Sequence, residues 1–222
     1  MKKILISAML IVMGCFSMAA QNSIVNNPDN KAYFGIRVGG NLTCPGKLTS
    51  DDVDFSLFKN GGGVEVGGIF NGPIVANFYI EPGMKLYFDT YSAKKGLVKY
   101  LTNGILNSVS VRKFGMRIPI MAGYHFDFTQ DIKLFVFTGP ELDVCFIGKE
   151  YDKGQYVKIN ESLYGDNGSM NRVNLLWGFG AGISYQHLYF GVSGGVGMLN
   201  MANTSDLKFH ENRVTFSLGY NF

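Results

Sequence analysis

Four basic and four acidic residues recur within stretches that are otherwise apolar or glycine-rich: Arg37, Lys85, Arg117 and Arg213 with Glu65, Glu81, Glu141 and Asp143. Successive side chains of an extended strand face opposite ways, so these charges share one face with small residues and leave the other face apolar. Gathered inside a closed barrel, they would line a polar conduit or ligand site, or neutralise one another as a plug. Equal numbers of the two signs favour the plug, because an unpaired buried charge is strongly destabilising. Eight strands also enclose an interior just wide enough for side chains to fill. Arg117 flanks Glu81 on one neighbouring strand and Glu141 on the other, and is expected to pair with one of them.

Other chemistry is weakly signalled. Gly178, Gly180, Gly182, Gly191, Gly195 and Gly197 alternate within strands instead of opening a helix, so they read as room for bulky neighbours and not as a phosphate loop. His125, His187 and His210 lack ligand spacing, which points to no metal. A rim enzyme of the Ser/His/acid type has only His125, Ser184 and Ser193 to draw on, with no obvious pairing. The reading is therefore no enzyme, no catalytic residue and no cofactor. The run Lys94 to Tyr100 and the Tyr-rich loop Glu150 to Tyr164 are candidate contact surfaces, the second favoured because tyrosine offers large amphipathic contacts.

The elements that must carry these residues are strands. The chain of 222 residues is 46% hydrophobic and 17% charged, with 29 glycines, which suits one domain with low surface charge. Apolar residues alternate with small or polar ones over eight segments: about 33–42, 62–70, 74–89, 109–128, 131–146, 172–185, 188–198 and 213–222. A turn is expected at Asn71-Gly72-Pro73, and a bulge near Lys113, where Val109 and Val111 reverse the parity. Pro82, Pro119 and Pro140 fall inside strands and are expected either at bulges or where the strand limits differ from these, since each removes a ladder donor.

Connections alternate long and short, which is the asymmetry of an all-β, eight-stranded antiparallel up-and-down transmembrane β-barrel. Such a barrel in the outer membrane of a Gram-negative cell envelope would have both termini in the periplasm. Phe34, Phe70, Phe78, Phe126, Tyr185, Phe190, Tyr220 and Phe222 sit at strand ends beside the short turns or the termini, as an interfacial aromatic girdle would. Outer-membrane lipid is then the partner of the apolar face. Tyr220 and Phe222 close the last strand, and resemblance to outer-membrane barrels generally implies that this terminal aromatic end is the signal to the barrel-assembly machinery.

Residues 1–20 read as a secretory signal peptide, 21–32 as a flexible segment and 33–222 as the barrel domain. Lys2 and Lys3 precede the apolar run 4–13, and small residues follow at Ser17, Ala19 and Ala20. A lipobox-like reading at Cys15 competes with this. Without Lys2 and Lys3 the net charge of +3 shrinks to +1, which leaves no case for nucleic-acid binding. Cys44 and Cys145 would meet an oxidising compartment, and whether they bridge stays open.

Glu81-Pro82-Gly83-Met84, Arg117-Ile118-Pro119, Phe137-Thr138-Gly139-Pro140-Glu141 and Gly178-Phe179-Gly180-Ala181-Gly182 occur in order ahead of Gly-Tyr-Asn-Phe. Together they resemble the PorT-like family of outer-membrane β-barrel proteins. The resemblance implies a barrel over the whole mature chain, with in-strand prolines as part of the pattern. One member of that family is implicated in a type IX protein-secretion apparatus, so a secretion or envelope partner is one implied role. The leading expectation is a non-enzymatic barrel, structural or binding partners through its loops. The alternatives are a secretion or transport component and a soluble lipocalin-like barrel.

Overall fold

Alternation of β-branched, aromatic and aliphatic residues with glycine and polar residues folds as long strands, because each strand can bury one face and expose the other. In chain order the elements are β1 (Tyr33–Pro45), β2 (Leu48–Ser50), β3 (Val53–Phe55), β4 (Gly61–Val75), β5 (Phe78–Ser92), α1 (Lys95–Leu101), β6 (Leu106–Asp127), β7 (Ile132–Gly154), β8 (Lys158–Ser162), β9 (Val173–Tyr185), β10 (Leu188–Gly197) and β11 (Glu211–Asn221). The computed structural model describes residues 31–222 apart from 51–52, 155–157, 166–167 and 205. The signal-peptide reading, Cys15 and residues 21–30 lie outside the described residues.

Eight strands close a ring: β1, β4, β5, β6, β7, β9, β10 and β11 pair antiparallel in that order, and β11 returns to β1. The closing pair runs from Gly35↔Asn221 to Pro45↔Glu211. Closure satisfies every strand edge, which is what allows strands to stand in lipid. The connections β4–β5, β6–β7 and β9–β10 are short and lie at the same end as the termini. The opposite end carries the β2–β3 hairpin, α1, β8 and residues 198–210. Among the described residues no helix is long and apolar enough to cross a membrane.

The outer wall is apolar. Val38, Val66, Leu86, Phe179, Val196 and Phe216 are all about half exposed at its middle. On β5 the apolar face runs over residues 78–88, eleven residues, matching the ~9–11 that a tilted strand needs to cross a bilayer. Beyond it the same face turns polar with Thr90, Arg112, Lys149 and Asn212. The apolar surface thus points outward, the reverse of a soluble lipocalin-like barrel.

Several expectations are corrected. Asn71-Gly72-Pro73 is not a turn but part of β4, and the chain reverses at Ala76-Asn77, with Ala76 at φ 47°. The register holds across Pro82, Pro119 and Pro140, so none sits at a bulge; each only interrupts the ladder locally. A bulge does fall between Phe114 and Gly115, yet the extra residue is Phe146 of β7. β6 keeps its parity: Val111 and Lys113 point inward, so the apolar start of that strand is interior packing above the charged layer. β6 and β7 extend well past the apolar wall, where no lipid enforces an apolar outer face and outward residues such as Arg112 and Lys149 are charged. Lys95–Leu101, expected as loop, is a short helix that buries Val98.

Candidate functional site: a polar ring across the barrel interior

The interior is layered. Its middle is built on Arg117 of β6, whose side chain is 1% exposed. Arg117 Nη1 donates to Glu65 Oε2 of β4 at 2.7 Å, Nη2 to Asp89 Oδ2 of β5, and Nε to Asp143 Oδ2 of β7 at 3.2 Å. Its guanidinium lies 3.8 Å over the Tyr87 ring. Lys85 Nζ donates to the other oxygen of Glu65 at 2.8 Å. From β11, Arg213 Nη2 donates to Glu141 Oε1, and Nη1 stands 3.9 Å from Asp143 Oδ2.

These contacts form a closed circuit across the lumen. Asn41 of β1 donates to Asp89 Oδ1 at 3.0 Å, Asp89 accepts from Arg117, and Asp143 links Arg117 to Arg213. Arg213 Nε donates to Thr215 Oγ1 at 3.1 Å, and Thr215 donates back to Asn41 Oδ1 at 3.0 Å. Charge-assisted bonds of this kind hold best where each donor finds an acceptor, and buried charge demands it.

Apolar layers cap the ring on both sides. Toward the termini lie Tyr79, Phe135 and Tyr189 with Phe137. Toward the loops lie Tyr91, Val111, Cys145, Leu163 and Tyr164, beside a Lys113–Glu211 pair at 2.5 Å. Inner-face glycines make room for this packing: a Cβ at Gly182 or Gly191 would stand 2.5 or 2.4 Å from the Tyr189 hydroxyl oxygen.

Of the eight charges singled out from sequence, the structure brings six together: Glu65, Lys85, Arg117, Glu141, Asp143 and Arg213. The expected pairing of Arg117 with Glu81 or Glu141 is corrected. Register places Lys85 and Asp143 beside Arg117, leaving Glu81 four residues down β5, while Glu141 goes to Arg213. Arg37 and Glu81 stand apart at the terminal end. Glu81 accepts from Asn71 at 3.2 Å, and the Arg37 guanidinium lies 4.0 Å over Tyr189. Sequence reasoning passed over Asp89, Asn41, Thr215, Lys113 and Glu211. Asp89 shares the parity of Lys85, and that spacing was a usable signal.

Tyr220 and Phe222 pack edge to face at 5.2 Å, and Phe222 N donates to Phe34 O across the closing seam. Seven of the eight girdle aromatics are exposed outward; Phe70 is mostly covered and tilts against Phe34 at 5.0 Å. Cys44 and Cys145 are free thiols, Cys145 inside the barrel and Cys44 on the outward parity of β1, so the wall separates them. His125 packs between Tyr79 and Phe135, and His187 stacks on Tyr220. Ser184 is buried, and among the described residues no hydrogen bond links it or Ser193 to His125.

At the loop end, Glu150 of β7 faces Glu161 of β8 directly. Burial, with Asp152 and Glu161 nearby, raises the Glu150 carboxyl above its usual range; burial and Glu161 do the same to Asp152. In the Tyr-rich loop Tyr164 is buried and Tyr151 lies against Arg112, whereas Tyr100 in α1 is 81% exposed.

Comparison with known proteins bears on the barrel as a whole. No curated protein matches the chain. Similar solved structures include Neisserial surface protein A (12% identity, TM-score 0.46, covering 87% of this chain and 100% of that one). OprG of Pseudomonas aeruginosa is similar at 11% identity and TM-score 0.45, covering 86% and 96%. Ail of Yersinia pestis is similar at 11% identity and TM-score 0.42, covering 87% and 100%. A family model described as the outer membrane protein β-barrel domain matches residues 19–203, ending just short of the strand that closes the ring. The chain belongs to the outer-membrane protein β-barrel domain family.

Proposed function

We propose that this outer-membrane barrel is sealed and non-enzymatic, and that it acts through its loop end. The closed polar circuit joining β1, β5, β6, β7 and β11 through Arg117 carries the reading, because it crosses the lumen and uses up the polar groups that a conduit would offer to solutes. The termini and the three short turns face the periplasm, and α1, β8 and residues 198–210 face outward, following the loop asymmetry of outer-membrane barrels. Exposed Tyr100 and Ile105, with Lys94, Lys95 and Lys99, make the α1 connection the better contact surface for an envelope partner. The motifs shared with PorT-like barrels support a place in protein secretion as the second reading.

The test is conductance in planar bilayers, paired with labelling of Tyr100→Cys in intact cells by a membrane-impermeant maleimide. Silent bilayers and a labelled cysteine are expected. Stable unitary conductance would contradict the seal, and a protected cysteine would invert the orientation.

A further inference from the structure

Arg37 is the one inner-face cation of those singled out that has no carboxylate within salt-bridge distance among the described residues, although it is only 4% exposed. Its Nη1 donates to the carbonyl of Ile36 at 3.2 Å, and its Nη2 has no partner. Two other buried polar atoms nearby are also unpartnered: the hydroxyl of Tyr33 and Oδ1 of Asn221. Tyr33, Gly35 and Arg37 share the inner face of β1, and Asn221 is the register partner of Gly35.

The position of the guanidinium is built. A Cβ on Gly35 would stand 2.6 Å from Arg37 Nη1 and 3.0 Å from Asn221 Oδ1; a Cβ on Gly219 would stand 2.6 Å from both Cδ and Nη1. Two glycines therefore clear the path along which Arg37 swings onto Tyr189, 4.0 Å from its ring centroid. The stack holds the cation by one face, and at its donor edge Nη2 has no partner. A desolvated guanidinium with Nη2 unpartnered calls for an anion. Tyr33 supplies an O–H donor. The Asn221 amide supplies an N–H donor on a half-turn about its last torsion, an assignment that the hydrogen-bond network decides.

We propose that Arg37, Tyr33 and Asn221 form a binding site for a small oxyanion, a carboxylate or phosphate group, at the terminal end of the barrel interior. Glu81 faces the same end and accepts from Asn71. It opposes an anion there, so the site takes a compact group held by the fork and not a highly charged one. This site is separate from the polar ring that seals the middle.

The test uses the full mature barrel folded in detergent micelles. The Arg37 Nε–Hε resonance is followed during titration with acetate and, separately, inorganic phosphate at constant ionic strength. A saturable shift is expected, lost in Arg37→Met, at least severalfold weaker in Tyr33→Phe and tighter in Glu81→Gln. The arm that saturates at lower concentration identifies carboxylate or phosphate as the natural group. Should Arg37→Met fail to fold, Glu81→Gln and Tyr33→Phe still decide the matter. A non-saturating drift with both anions would overturn the site. So would unchanged or weaker binding in Glu81→Gln, because a carboxylate facing the same end must oppose an anion held there.

Discussion

At the scale of single residues, Arg117 has the most at stake. Three carboxylates from three strands, Glu65, Asp89 and Asp143, converge on one guanidinium that is almost wholly out of solvent. Removing it leaves their negative charge uncompensated, and breaking a buried pair from one side destabilises by about 3–5 kcal/mol. Arg117→Ala is therefore expected to lower the unfolding free energy in detergent by about that much, measured by urea titration with heat-modified gel mobility as a second readout. An unchanged midpoint would mean that the carboxylates find other partners. The Arg117 environment was only half legible in the sequence. Parity placed the residue inside, but its partners depend on register: the β5–β6 pairing sets Lys85 opposite it, and the run from the β6–β7 turn sets Asp143 opposite it. Register within one residue is a backbone outcome that the residue types at the turns do not disclose.

At the scale of elements, the alternation of faces makes a paired prediction on β4. Gly67 faces inward, and a Cβ there would stand 2.1 Å from the carbonyl oxygen of Met84, a backbone atom that cannot yield. Gly68, the next residue, faces outward, with its nearest neighbour 3.7 Å away. Gly67→Ala should lower the thermal midpoint in detergent, and Gly68→Ala should leave it unchanged; equal effects would break the assignment of faces. The β7–β8 extension makes a second prediction. The raised carboxyls of Glu150, which faces Glu161, and of Asp152, which feels the same charge, favour the folded extension when protonated. That contribution is full below the ordinary carboxylate range and is lost as pH rises through the raised values. Amide protection over residues 149–153, corrected for intrinsic exchange, should fall between pH 4 and pH 8, and Glu150→Gln should flatten the dependence. Eight strands were legible because lipid forces a strict apolar face. The extension and α1 were not, because above Thr90, Arg112 and Lys149 nothing imposes that alternation.

At the scale of the whole molecule, the barrel is apolar outside and polar at its centre, with aromatic and aliphatic layers above and below the charges. That inversion of a soluble core follows from closing eight amphipathic strands in lipid: the outer face needs no partner but hydrocarbon, and the inner face must satisfy itself. The three-stranded convergence on Arg117 supplies much of that satisfaction, and the account stands or falls on whether water reaches it. Solvent exchange of the Arg117 Nε–H proton, observed by NMR in the folded barrel at neutral pH, measures this directly. A sealed lumen predicts a resolved resonance that exchanges with water far more slowly than that of an exposed arginine. A signal lost to rapid exchange would show an open, hydrated passage and contradict the plug.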